Sequence, residues 1–483
     1  MQNKKHFFWL ICFFGGLSFM LQAKESQEVV LKFESDRFAN KTFYLASYYG
    51  KFTVLLDTVV ATPNGTILFE KEQKHPQGMY MLVDENKSIV GEFLLDQDQD
   101  FSVKVDATNF QESVVFNSQL NEDYFRFLKF FSTQQTKVAA LEKKLQQNGD
   151  PNKVVQLKQE LQVEKNLILA YKKSYQAQNS NSVLSLMFAM TLPLEEYFDY
   201  YDVKQAPAHT ADSTKLLKKL FLKGLNFNDD RLLRNPFLGN KIATYFDAFV
   251  VPDPTVLSNE ICAILDGIDN HEGDVFSYLS LYFLNTYMTP KIMGNDRVFV
   301  TLYEHYFNKR GYSWLAEEQR LLLEYNYKSL RNNLIGDKVP NLFMRTLENK
   351  TFNLFDLQTP YVALVFWDPF CQHCIDELPK IKKTYDALWK DKGIQVYAVN
   401  INTEGEQEWK DFIEQEKLQE WVHVTPSKEV FGNYTQEDLN FQMLYNINQT
   451  PALFLLNNKK ELLAKNIDFG EYMTIITDLE KTK

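Results

Sequence analysis

Cys371-Gln372-His373-Cys374 holds the two residues of this sequence best suited to covalent chemistry. Two thiols two residues apart at a helix start can close a disulfide with little backbone movement, so the site can cycle between two states. Val365-Phe366-Trp367 reads as the end of a strand, and Asp368-Pro369-Phe370 as the turn that delivers the chain to the helix. The unpaired N–H groups and positive dipole end there favour a thiolate on Cys371. Cys371 is expected to attack; Cys374, one turn further in and more buried, is expected to resolve the mixed disulfide. His373, when protonated, would stabilise that thiolate. Asp368 and Asp376 are acids that could raise a thiol's pKa and hand over protons. Zinc would need a second ligand pair, and neither Cys262 nor a paired histidine supplies one. A purely structural disulfide closing so short a loop would stabilise little.

The segments around the pair alternate between strand and helix. Residues 361–367, 394–400 and 421–424 read as strands, and 372–388 and 406–415 as helices. Residues 452–456 and 461–464 form a hairpin around 457–460, and 471–479 is a closing helix. Such an order builds a central sheet with helices on its faces.

Upstream the pattern differs. Short β-type runs at 29–33, 42–48, 52–60, 66–69, 79–83, 88–95 and 101–105 predict an antiparallel sandwich or small barrel over residues 24–116. Asn64-Gly65 has the composition of a two-residue hairpin turn. Asp96-Gln97-Asp98-Gln99-Asp100 invites a calcium-loop reading, but Phe101 and Ala107 stand where glycine and glutamate are required, so a solvated hairpin tip is expected. Residues 117–333 turn to helical periodicity. Asn148-Gly149-Asp150-Pro151 separates helices at 141–147 and 154–175, with glycine ending one and proline opening the next. Further apolar clusters lie at 216–225, 256–268, 276–288 and 299–307. The aromatic run Tyr197-Phe198-Asp199-Tyr200-Tyr201 suits packed core better than a binding groove. His209, His271 and His305 are isolated, so no metal site is expected. Cys262, in Ile261-Cys262-Ala263-Ile264, reads as a buried inert thiol.

At 483 residues the chain has room for about three domains. An apolar fraction of 45% with 14% aromatics excludes wholesale disorder, and four cysteines exclude a disulfide-stapled scaffold. The net charge of −11 disfavours nucleic acid as a partner. Residues 1–23, with Lys4 and Lys5 before a short apolar run ending at Ala23, have the layout of a secretory signal peptide; an uncleaved anchor is the lesser alternative. Cleavage there would discard Cys12 and take the charge from −11 to −13. The apolar stretch at 183–194 is too short for a span and suits a buried helix.

Residues 335–483 resemble the thioredoxin superfamily, and within it the exported TlpA and ResA type of thiol-disulfide oxidoreductase. The resemblance is carried by Phe366-Trp367-Asp368-Pro369-Phe370-Cys371-Gln372-His373-Cys374, Glu377-Leu378-Pro379 and Thr450-Pro451. It implies a helix-kinking role for Pro379 and a cis-proline loop at Pro451, where Thr450, Pro451, Trp367 and Phe370 would meet substrate. Phe370 replaces the commoner Trp, and Val365 replaces the buried aspartate of cytosolic thioredoxins; Glu377 occupies the place of the glutamate proposed to substitute for it. His373 matches the strongly oxidising relatives, whereas the TlpA and ResA likeness implies reduction of exported cysteines.

The expectation is thus a multidomain chain: a signal peptide (1–23), an antiparallel β-sandwich-like domain (24–116), an all-α region (117–333) and a C-terminal α/β thioredoxin-like fold (335–483). The resemblance implies an envelope thiol-disulfide oxidoreductase with no cofactor beyond the Cys371–Cys374 disulfide. Its partners would be cysteine-containing exported proteins and a membrane thiol-reductant donor. Two alternatives remain: a thiol peroxidase of the AhpC and TSA type, which usually has threonine where Asp368 stands, and a non-catalytic envelope binding protein with a vestigial thioredoxin domain.

Overall fold

The computed structural model describes residues 29–106, 108–193, 211–426 and 440–481. The leader, Ala107, the aromatic run at 197–201 and His209 lie outside the described residues. The chain divides into two compact units. One runs to Val251 and includes Gly267–Tyr278; the other comprises Pro252–Asp266 and Leu279 onward.

The first unit begins with β1 (Val29–Glu34), β2 (Thr42–Tyr49), β3 (Phe52–Val60), β4 (Thr66–Lys71), β5 (Gly78–Asp84), β6 (Ile89–Leu95), β7 (Asp100–Lys104) and β8 (Val114–Phe116). They form two four-stranded sheets, ordered β4-β1-β7-β8 and β3-β2-β5-β6. Along β1 the buried Val29, Leu31 and Phe33 alternate with Val30, Lys32 and Glu34, as the two-residue period of a strand requires. Phe33 of one sheet meets Phe93 of the other at 5.0 Å between ring centroids, so the sheets share one apolar core.

Three expectations change here. β1 pairs with β7 in parallel, so the strands are not wholly antiparallel. Asn64-Gly65 joins β3 to β4, which lie in different sheets, and so is not a hairpin turn. Gly65 has φ +75°, and a Cβ there would come within 2.0 Å of the Ser35 carbonyl oxygen. Likewise Asp96–Asp100 leads from one sheet to the other instead of tipping a hairpin. Turn residues specify local backbone; burial of the apolar faces decides which sheet receives the next strand.

Helices α1 (Gln119–Gln147) and α2 (Pro151–Gln178) follow. The Asp150 side chain accepts the Asn152 N–H and Pro151 opens α2, whereas α1 ends on Asn148, one residue before the expected glycine. All eight residues of α3 (Val183–Met190) are buried, as expected of a helix apolar all round. Next come α4 (Ala211–Phe221) and α5 (Leu238–Phe249).

The second unit takes in α6 (Pro254–Leu265), most of α7 (Asp274–Met288), α8 (Asp296–Leu302), a π-helical turn at Tyr303–Phe307, and α9 (Glu317–Leu330). Cys262 is half-buried, less enclosed than expected; burial raises its thiol pKa, partly opposed by Tyr306. Then follow β9 (Phe343–Thr346), β10 (Thr351–Asn353), β11 (Tyr361–Trp367), α10 (Gln372–Thr384), β12 (Ile394–Asn400), α11 (Glu406–Gln415), β13 (Val422–Pro426), α12 (Phe441–Leu444), β14 (Ala452–Asn457), β15 (Leu462–Lys465) and α13 (Tyr472–Lys481). The strands form one sheet, ordered β10-β9-β13-β12-β11-β14-β15. Every residue of β11 is buried, as suits a central strand covered on both faces. One face packs Trp367, Leu378, Trp389 and Trp409; the other packs Phe366, Tyr397, Tyr445 and Phe454. Among the described residues no helix is long and apolar enough to cross a membrane.

Candidate active site

β11 pairs in parallel with β12 and antiparallel with β14. Because Phe366 lies opposite Ala452, the chain leaving β11 at Trp367 meets the chain entering β14 from Thr450-Pro451. The Thr450–Pro451 peptide bond is cis. The register alone therefore brings together two segments some 80 positions apart.

Between β11 and α10, Asp368 organises the turn. Its Oδ1 accepts the Phe370 N–H at 2.9 Å, and its carbonyl accepts the Cys371 N–H at 3.0 Å. The Asn402 side-chain amide donates to both carboxylate oxygens, at 3.3 and 3.4 Å. Cys371 is the N-cap of α10 and partly exposed; Cys374 is fully buried in the core with Trp367 and Leu378. Both are free thiols. Pro379 lies inside α10, as expected, where it can supply no N–H to the preceding turn.

The two thiols are held in different electrostatic states. Partial burial pushes the Cys371 thiol up, but hydrogen bonds from Thr450, from Cys374 and from the backbone N–H groups of Cys374 and His373 outweigh it, leaving the pKa below its ordinary value. The two backbone N–H groups are orphan donors of the helix start. For Cys374 burial dominates and pushes the thiol up to about 12, although the Asp368 backbone opposes it. The outer sulfur therefore ionises more readily than an ordinary thiol, while the inner one keeps its proton near neutral pH. That is the division of labour disulfide exchange requires, because the thiolate is the attacking species.

The remaining expected residues fall in different places. Phe370 is 56% exposed beside Cys371, so it can meet a partner. Trp367 cannot: it is fully buried, packed against Phe412 at 5.2 Å between ring centroids, and the expectation that it contacts substrate is corrected. The last residue of a strand buried on both faces turns inward. His373 is exposed and contributes its backbone N–H. Glu377 bonds Lys380 Nζ at 2.7 Å, and Asp376 accepts from the Gln372 amide at 2.9 Å. Asn402 and Gly405 were missed from sequence; a Cβ on Gly405 would lie 2.4 Å from the Phe370 ring. The available signal was their place just past the carboxyl end of β12, where open parallel sheets gather their functional loops.

Residues 335–465 match the AhpC/TSA family. They form a thioredoxin-like oxidoreductase domain of that family. Among curated relatives, a thiol-disulfide oxidoreductase ResA of Bacillus cereus is 28% identical over 133 residues, covering 28% of this chain and 69% of that protein. ResA of Bacillus anthracis is 31% identical over 100 residues, covering 21% of this chain and 57% of that protein. The chain thus spans little more than half to about two thirds of these relatives. Among solved structures, a domain of a possible thiol-disulfide isomerase from Cytophaga hutchinsonii is 37% identical, covering 31% of this chain and 95% of that one, with a TM-score of 0.28. A thioredoxin-like protein from Bacteroides caccae is 18% identical, covering 56% of this chain and 97% of that one, with a TM-score of 0.42. The thioredoxin-like domain contains Cys371, Cys374 and Pro451 within the matched residues.

Proposed function

We propose that this protein is a cell-envelope thiol-disulfide oxidoreductase that reduces disulfides of exported proteins. The Cys371 thiolate attacks one sulfur of a substrate disulfide, forming a Cys371–substrate bond and releasing the other substrate sulfur as a thiolate. Cys374 loses its proton and attacks the Cys371 sulfur, which forms the Cys371–Cys374 disulfide and releases the second substrate thiol. The substrate gains two electrons and the site loses two. A membrane thiol donor restores the dithiol by the same exchange in reverse roles.

The observation that carries this reading is the pairing of a lowered thiol at Cys371 with a buried one at Cys374 raised to about 12. Thr450, whose carbonyl oxygen lies 3.5 Å from the outer sulfur, would receive the substrate chain together with Pro451 and Phe370; His373 would tune the thiolate through its charge. Glu377 would relay the Cys374 proton only after releasing Lys380. Export rests on the signal-peptide layout of residues 1–23. In this reading residues 24–116 form a sandwich-like module and 117–333 a helical one, which position a partner, and the disulfide is the only redox group needed.

Two measurements test the proposal. A reduction potential for the Cys371/Cys374 pair of roughly −200 mV or lower supports a reductase, and one near about −120 mV overturns that direction. A Cys374→Ser variant should trap exported proteins as mixed disulfides through Cys371; failure to trap any would leave a binding protein with a vestigial thioredoxin-like domain.

A further inference from the structure

The chain is acidic overall, yet one cavity of about 440 Å³ in the second unit is lined by Lys309, Arg310, Arg320, Lys328 and Arg331 against a single carboxylate, Glu324. That carboxylate is already shared, bonding Arg320 at 3.0 Å and Lys328 at 3.0 Å, while Arg320 also holds Glu317 at 2.7 Å. Among the described residues no carboxylate pairs with Lys309, Arg310 or Arg331. Three cations thus converge on a concave surface with no counter-charge of their own.

The wall behind them is stiff. Arg331 lies over the Tyr327 ring at 5.3 Å; Tyr327 stacks on Tyr303 at 4.5 Å and 19°, and Tyr303 on Phe307 at 6.3 Å and 20°. All three rings are buried, so they support the cations and offer no open face on which a base could stack. Tyr303–Phe307 is one of two π-helical turns among the described residues, a rare geometry often found at functional sites, and the chain leaves it through Asn308 into Lys309 and Arg310. Gly311 on the rim has no neighbour within 4 Å of a Cβ position, which leaves the mouth open.

Like charges gathered in a concave site raise its potential and concentrate an opposite charge there. Guanidinium forks match phosphate oxygens in pairs, and a lysine adds a point charge. We propose that this cavity binds a compact multivalent phosphate, with Lys309, Arg310 and Arg331 as its contacts and the Arg320–Glu324–Lys328 network fixing the wall. None of these residues belongs to the dithiol site. The phosphate could be a soluble one or the headgroup of an anionic lipid.

The full chain should be titrated calorimetrically with inorganic pyrophosphate at low and high salt. It should also be floated with vesicles of phosphatidylcholine with and without phosphatidylglycerol. Saturable pyrophosphate binding at one site, weakened by about tenfold or more in Lys309→Ala/Arg310→Ala/Arg331→Gln, supports a soluble phosphate. Flotation that needs phosphatidylglycerol and is lost in the same variant, without pyrophosphate binding, supports the lipid source. The control Lys143→Ala/Lys144→Ala should change neither. Arg331→Gln alone, checked by an unchanged melting temperature, serves if the triple variant does not fold and should weaken whichever probe binds by about threefold. Binding of neither probe, or binding that survives substitution in a folded variant, overturns the proposal.

Discussion

The Cys371 sulfur lies 3.5 Å from the Thr450 carbonyl oxygen, a contact spanning 79 positions of sequence. The thiol donates to that carbonyl, which favours its protonated form, whereas a separate hydrogen bond from the Thr450 side chain helps lower the Cys371 pKa below its ordinary value. The loop preceding β14 therefore both lines the site and tunes its nucleophile.

Alkylation kinetics should report this tuning. In the wild type, the rate of Cys371 modification by iodoacetamide should rise with pH to a plateau whose midpoint lies below the ordinary value of 9.0, while Cys374, raised to about 12, stays unmodified at neutral pH. Thr450→Val removes a stabilising hydrogen bond from the thiolate, so the midpoint should move up and the neutral-pH rate should fall by about threefold. Equal profiles for the two proteins would remove Thr450 from the account.

The sequence made the dithiol, its strand-to-helix setting and the strands at 361–367 and 394–400 legible, because each is a local pattern of apolar period and turn chemistry. The pairing partners were less accessible. β9 and β10 have only four and three residues, too short for a period to show, and are fixed by pairing with each other and with β13. Asn402 escaped for the same reason: only the parallel pairing of β11 with β12 places it against Asp368. Trp367 was misjudged because a motif position says which residue is present and not which way its side chain turns.

Gly405 sets the position of the exposed Phe370 ring. A Cβ at 405 would meet the ring edge at 2.4 Å, and the ring, 56% exposed, can swing away at little cost. Gly405→Ala should therefore change stability by less than about 1 kcal/mol. The same swing changes the surface beside Cys371, so KM for a protein disulfide should rise by about three- to tenfold, with the rate on a small aromatic disulfide nearly unchanged. A parallel loss on both substrates would point to the nucleophile instead.

Lys465 on β15 forms an ion pair with Asp296 of α8, and its ammonium also donates to the Asn333 carbonyl. The Asp296 and Lys465 side chains are only 4% and 12% exposed. Removing one partner strands the other charge in a poorly solvated place, so Asp296→Ala should cost about 3–5 kcal/mol in urea unfolding. Replacing both, as Asp296→Leu/Lys465→Met, should recover most of that loss, because an apolar pair of similar volume avoids desolvating two ions. If the double variant is as unstable as the single one, shape at this site matters more than charge.

His423 makes the thioredoxin-like domain sensitive to acid. It is 5% exposed on β13, with Nε2 2.8 Å from the Leu418 carbonyl oxygen, to which it donates, and with no partner for Nδ1. Burial lowers its pKa from 6.5 to about 4, only partly opposed by that carbonyl. Above pH 6.5 neither the folded nor the unfolded chain binds the proton, and the residue leaves stability unaffected. Between 6.5 and about 4 the unfolded chain takes a proton that the folded chain refuses, so stability falls as pH falls; below about 4 both are protonated and the loss levels off. The full loss from this group is on the order of 3 kcal/mol. His423→Gln keeps a donor for the Leu418 carbonyl and cannot titrate. Its urea midpoint should therefore decline less steeply than that of the wild type between pH 6.5 and 4, while carboxylate protonation affects both alike. Parallel declines would mean that His423 takes up its proton in the folded protein at its ordinary pKa.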